Sequence, residues 1–304
     1  MNKKDILLST ILVTLWGVNF TVIKLGLDGV PSMLLVSLRY LLTSFPAVFF
    51  VKKPKTDMKY VVLYGLTVGV GQFACLFYAM QIGIPAGIAS VVLQIQAFIS
   101  PLMAMFFLKE KINSKQISGF IISAAGLILI ATASTGDSIN RVPVSAFILM
   151  LAAPCFWAAS NMIARIASDK AALKGERLNM ISLVVWSGLV PPVPMMGLAL
   201  ILDKPETILN VLLNLNSVSI FAVFYLAYAA TLIGYGIWSI LIASYPMSKV
   251  APIPLLVPIV ALLSARIVLS EQLSPLQWTG FIVILSGLVI ANTKLFNIFS
   301  KNKI

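Results

Sequence analysis

Histidine is absent from the 304 residues, Asp and Glu together number 10, and cysteine occurs twice. Without histidine the chain lacks the commonest metal ligand and the side chain best suited to act as a base near neutral pH. Cys75 and Cys155 each stand alone inside an apolar stretch, so neither belongs to a disulfide framework or a thiolate metal site. No Asp or Glu falls in the middle of an apolar run. An intramembrane enzyme would need a nucleophile with its base, or metal ligands, at matching depth. The chain is therefore expected to be no enzyme and to use no cofactor and no metal. Charge of either sign is scarce at 11%, against about 25% in an ordinary soluble domain.

What remains is apolar. Hydrophobic residues make up 60% and the mean hydropathy is +1.00, which marks an all-α membrane protein whose partner is the lipid bilayer. At about 20 apolar residues per crossing there is room for roughly ten spans and no soluble domain. Ten runs can be placed: 5 to 27, 31 to 51, 60 to 80, 84 to 108, 115 to 134, 144 to 167, 179 to 202, 217 to 243, 248 to 269 and 275 to 297. The first has no A-x-A-like cleavage site and reads as a retained span. The connections 135 to 143, 168 to 178 and 203 to 216 read as loops.

The net charge of +12 could suggest nucleic acid, but the basic residues sit in short clusters between apolar runs and read as topology signals. No nucleic-acid partner is expected. With alternating sides, Lys3, Lys4, Lys249 and the clusters at 52–59, 109–115, 170–177 and 294–303 place sixteen Lys and Arg on one side. Only Arg141, Lys204 and Arg266 lie on the other. The asymmetry predicts ten spans with both termini cytoplasmic.

The sequence also repeats itself. A shift of 161 positions lays Tyr64 on Tyr225, Pro85 on Pro246, Glu110 on Glu271, Gln116 on Gln277, Gly119 on Gly280 and Gly126 on Gly287. A shift of 141 lays Trp16 on Trp157 and Lys24 on Arg165. The predicted units are residues 1–137, a first five-helix repeat, and residues 138–304, a second that enters the membrane from the opposite side because five is odd. Inverted repeats place a substrate site between them near the midplane.

Polar residues inside spans are the candidates for that site, since an unmade hydrogen bond in hydrocarbon costs several kcal/mol. Trp16 and Asn19 lie near the middle of the first span, and Trp157 and Asn161 at similar depth in the sixth. They read either as aromatic walls and amides of a central pocket or as interhelical glue, and their occurrence in both halves favours the pocket. Gln72, Gln94 and Gln96 are also deep, with Gln94 sharing a face with Ser90 and Gln96 rotated away. Tyr228 and Tyr235 form one stripe on the eighth span, although an aromatic there also serves packing. Arg39 is too far from either surface for easy escape, at a cost of at least ~2.5 kcal/mol. It reads either as the receptor of a substrate carboxylate or as a tie to backbone carbonyls. Glu110 and Glu271 read as solvated charges at helix ends. With no carboxylate in mid-span for a proton relay, facilitated export is expected over proton coupling. Pro85, Pro101, Pro252, Pro254 and Pro258 mark the fourth and ninth spans as bent or broken. Gly65, Gly69, Gly71, Gly119 and Gly126 permit close helix approach.

Three features together resemble the EamA family of the drug/metabolite transporter superfamily. They are Trp16-Gly17-Val18-Asn19-Phe20, then Leu38-Arg39-Tyr40, and Glu110 or Glu271 followed by Gln and Gly. The likeness covers essentially the whole chain and implies a ten-helix carrier of two inverted five-helix repeats in a bacterial inner membrane. Within that family, members that export O-acetylserine and cysteine are the most similar. The likeness to them runs through Pro85-Ala86-Gly87, the stretch from Val91 to Phe98, Leu183-Val184-Val185-Trp186-Ser187 and Gly234-Tyr235-Gly236-Ile237-Trp238. The resemblance implies efflux of a small-molecule substrate, an amino acid or derivative, by a monomer or homodimer. The same fold also serves importers and broad drug exporters. The expected substrate-binding residues are Trp16, Asn19, Arg39, Gln72, Gln94, Trp157, Asn161 and Tyr235.

Overall fold

The computed structural model describes residues 1–109, 114–135, 142–245, 250 and 253–291. Most of them are helical, in the order the hydropathy predicts. Six helices are long and apolar enough to cross a membrane: α1 (Lys3–Leu27), α2 (Ser32–Phe49), α3 (Met58–Gln81), α4 (Ala86–Phe107), α6 (Val144–Leu173) and α8 (Ser217–Leu241), numbered with the intervening α5 (Ser114–Thr135) and α7. The seventh predicted span is a pair, Met180–Ser187 and Pro192–Leu202, bent by 41° and together called α7. The remaining three coincide with shorter apolar helices, namely α5, α9 (Ile253–Leu269) and α10 (Pro275–Ala291). The stretch 203 to 216, read as a loop, instead carries the helix Pro205–Leu213, started by a proline at the one position where a helix does not need its N–H. Likewise α6 runs on to Leu173 into the stretch read as the loop 168 to 178. Glu110, Arg141, Pro246 and Pro252 lie outside the described residues, as does most of the loop 135 to 143.

Local chemistry sets the helix starts. Asn2, Asn179 and Asn216 each accept a backbone N–H of the first turn of α1, α7 and α8 through Oδ1. At α10, Ser274 and Gln277 form a reciprocal capping box, the Ser274 N–H donating to Gln277 Oε1 and the Gln277 N–H to Ser274 Oγ. That gives Gln277, one of the two glutamines matched by the repeat, its role. At the membrane surface Lys174 donates to Asp57 at 3.1 Å and holds its carboxyl below the usual range.

The repeat shows itself in the packing of α5 against α10. Gly119 lies on Gly287 and Gly126 on Gly280, where a Cβ at Gly126 would come within 2.7 Å of the Gly280 carbonyl oxygen. Because Gly119 and Gly126 are the counterparts of Gly280 and Gly287, this crossed pairing is what a two-fold axis perpendicular to the helices produces. Ser123, the counterpart of Ile284, donates to the Ile284 carbonyl. The axis also runs between α4 and α9. Gln94 Nε2 donates to the Pro254 carbonyl, one residue from its own counterpart. Elsewhere α1 packs along α9 and α8, and α6 along α3 and α4.

Two departures from regular helix recur at matching positions. Gly65–Gln72 in α3 and Tyr225–Ile233 in α8 are π-helical, and the 161-residue shift superposes them almost end to end. In α4 the break falls at Gln94–Ile95, between Ala86–Leu93 and Gln96–Leu108, and not at a proline. Pro85 precedes the first half, and Pro101 sits inside the second without ending it. In α9 a 3-10 turn, Ile253–Leu256, gives way to α-helix at Val257 with Pro258 in its first turn.

Candidate functional site

Three helices of the first half and one of the second meet around Tyr235. Trp16 of α1 donates its indole N–H to the Ala230 carbonyl of α8 at 3.0 Å. Its ring stands 5.6 Å from Tyr235 and 5.9 Å from Trp238. Gly234 permits this approach, since a Cβ there would come within 2.5 Å of the indole nitrogen. Tyr64 of α3 stands beside Tyr235.

Arg39 completes the cluster from α2. It is 3% exposed. Its Nε and Nη2 both donate to Thr231 Oγ1, at 3.2 and 3.0 Å, and the Thr231 hydroxyl in turn donates to the Leu226 carbonyl five residues back in the π-helical stretch. The guanidinium lies over the ring of Phe73 at 4.1 Å and within 5.9 Å of Tyr40, a cation–π arrangement that offsets part of the cost of burying the charge. Nη1 is buried without a partner.

The other expected residues divide. Asn19, one turn beyond Trp16, and Gln72, next to Phe73, are buried at 8% and 3%, and Asn19 Oδ1 and Gln72 Oε1 have no partner. Asn161 of α6 faces α4 instead, and Trp157, the counterpart of Trp16, is half-buried against the hydrophobic core. Asn161 is exposed and donates to Gln96 Oε1 at 3.0 Å, which also accepts from Ser100. Gln94 is committed to the Pro254 carbonyl at the break between helix halves.

Three residues of the arrangement escaped the sequence reading. Thr231 and Phe73, which hold Arg39, carry no periodic signal that links them to α2. Glu271, read as a solvated charge, accepts the N–H groups of Ala86 and Gly87 at 2.8 and 3.1 Å and so closes the start of α4. The signal was present: a glutamate shared by both repeats, and a proline at residue 85 ahead of a helix. Among the described residues no group of His, Cys, Asp and Glu is placed to hold a metal ion.

Comparison with known proteins agrees with this architecture. The model of the EamA-like transporter family matches twice, over residues 3–132 and 144–293. A probable amino-acid metabolite efflux pump of Escherichia coli K12 is 40% identical, the alignment covering 95% of each chain. Its Salmonella typhimurium counterpart is 41% identical over the same shares. A probable terminal-alkyne amino-acid exporter of Streptantibioticus cattleyicolor is 24% identical over 93% of this chain and 91% of its own. A crystal structure that shares 15% identity superposes with a TM-score of 0.62 over 98% of this chain and 99% of that one, a likeness of fold. The chain belongs to the EamA-like transporter family and is a multi-pass membrane transporter.

Proposed function

We propose that this protein exports small amino-acid metabolites, such as cysteine or O-acetylserine, across a bacterial inner membrane by alternating access. Both termini lie in the cytoplasm, residues 1–137 and 138–304 are the two moving units, and the working form is a monomer or homodimer. The substrate binds near the midplane among Trp16, Asn19, Arg39, Gln72 and Tyr235. Gln94, Trp157 and Asn161 line the path once their contacts with Pro254 and α4 open. The observation that carries this reading is the meeting of both halves at Tyr235, with buried donors and acceptors left unpaired. Unpaired polar atoms in a membrane interior are costly and mark places where function outweighs stability. The efflux activity named for the two relatives at about 40% identity supports the direction and the substrate class.

Efflux of radiolabelled cysteine and O-acetylserine from preloaded proteoliposomes, with and without a pH gradient, tests it. Flux without the gradient, reduced at least ~10-fold in Asn19→Ala, is the expected result for a facilitator whose buried amide contacts the substrate. Flux only with the gradient would shift attention to Glu110 and Glu271. Absence of flux under both conditions would sink the substrate assignment.

A further inference from the structure

The cluster around Tyr235 contains one formal charge and nothing to balance it. Arg39 is buried at mid-membrane, its contacts are a neutral hydroxyl and two aromatic rings, and no Asp or Glu lies within any described span away from its ends. If the role of residue 39 were only to tie α2 to the π-helical stretch of α8, a neutral glutamine could donate to Thr231 and avoid the cost of burying a cation. The charge itself therefore needs a reason.

The hydrogen-bond geometry gives one. A guanidinium has a side edge, Nε with Nη2, and an end edge, Nη1 with Nη2. Thr231 Oγ1 takes the side edge, while the end edge still holds the unpartnered Nη1. Two parallel N–H groups on one edge fit the two oxygens of a carboxylate. The rings of Phe73 and Tyr40 keep the plane in place. Other unpaired groups are of the opposite kind: the amide oxygen of Gln72, next to Phe73, and that of Asn19, one turn beyond Trp16, accept hydrogen bonds, which an ammonium group donates.

We propose that the end edge of Arg39 receives the carboxylate of the transported molecule, so that the carrier selects free amino acids over their neutral-carboxyl derivatives. This rests on the mid-membrane site proposed above and names its recognition chemistry. Nη1 is sealed from solvent in this conformation, so the carboxylate reaches it when the helices part and closes the site by satisfying it.

Proteoliposome flux of O-acetylserine and of its methyl ester, in wild type, Arg39→Gln and Thr231→Val, tests the assignment. Wild type is expected to carry the acid at least ~10-fold faster than the ester, the fold-change of one charge-assisted hydrogen-bond pair. Arg39→Gln should abolish the preference, bringing the ratio of the acid's rate to the ester's close to one. Thr231→Val, which keeps the charge, should retain the preference. Equal loss of both compounds in Arg39→Gln, or an acid preference that survives it, would overturn the proposal. If wild type carries neither compound, the transport reading fails on its own. The Arg39 assignment is then decided by thermal unfolding in detergent. A midpoint raised by the acid and not by the ester, in wild type and not in Arg39→Gln, supports it, and equal midpoints reject it.

Discussion

The seam between α5 and α10 and the pocket around Arg39 are both contacts between the repeats, and they treat the two-fold symmetry differently. In the seam the contacts follow the two-fold: Gly119 meets Gly287 and Gly126 meets Gly280, each the counterpart of the other glycine, and Ser123 meets its own counterpart, Ile284. In the pocket the first repeat supplies Trp16, Arg39, Tyr64 and Phe73, and the second supplies Thr231 and Tyr235. Counterparts have diverged in use. Tyr225, which matches Tyr64, donates to the Leu15 carbonyl, and the position that matches Thr231 is Val70. A duplicated scaffold needs both copies to keep the packing surface. A substrate without two-fold symmetry needs the copies to differ.

The largest effect expected follows from the seam. Gly126→Leu forces a side chain onto a backbone carbonyl that already stands 2.7 Å from the ideal Cβ position, and Gly280→Leu meets the Gly126 carbonyl at the same distance. Each should lower stability by ~3 kcal/mol or more, seen as loss of folded protein or a lowered unfolding midpoint in detergent. Gly197→Leu, where a Cβ meets nothing within 4 Å, should leave the midpoint unchanged. Equal, small effects at all three glycines would mean that α5 and α10 do not pack through this seam.

In the pocket, symmetry predicts nothing and chemistry does. Thr231→Val removes the oxygen that accepts both Nε and Nη2 of Arg39 and should cost about 2 kcal/mol, the scale for stranding hydrogen bonds to a buried charge. The mirror change, Val70→Thr, should fall within about 0.5 kcal/mol of wild type, because the described contacts give it no arginine to meet. Unfolding midpoints of the pair measure the asymmetry directly. A comparable loss at both positions would show that the π-helical stretches, and not the Arg39 contact, set the effect.

The sequence reading found the apolar helices because apolar runs are recorded locally, residue by residue. It found the repeat because Glu, Gln and Gly recur at one fixed shift. It placed Trp16, Asn19, Arg39, Gln72 and Tyr235 correctly as buried or half-buried residues within helices, yet it could not pair them. Arg39 with Thr231, and Trp16 with the Ala230 carbonyl, join helices whose rotation about their axes hydropathy does not specify. The break in α4 was expected at prolines and falls at Gln94–Ile95, where the Gln94 side chain binds the Pro254 carbonyl across the two-fold. A nonlocal hydrogen bond holds that break, and no local propensity announces it. The π-helical stretches were missed for the related reason that their register is selected by what packs against them, as with Thr231 under Arg39.

A smaller effect separates scaffold from pocket at the end of α9. Glu271 caps α4 through the N–H groups of Ala86 and Gly87, so Glu271→Ala should destabilise by about 1 kcal/mol while leaving any preference between acid and ester unchanged. The residue before it offers the finest comparison. Ser270 and its counterpart Lys109 both adopt left-handed backbone, each at φ 55°, and each returns its N–H to the helix it ends, at Ala265 and Ala104. Glycine reaches that conformation without the clash a Cβ makes. Ser270→Gly and Lys109→Gly should therefore each raise stability by up to ~1 kcal/mol, and by similar amounts, because both halves end the helix with the same turn. Unequal gains would mean that the turns have diverged as the pocket has.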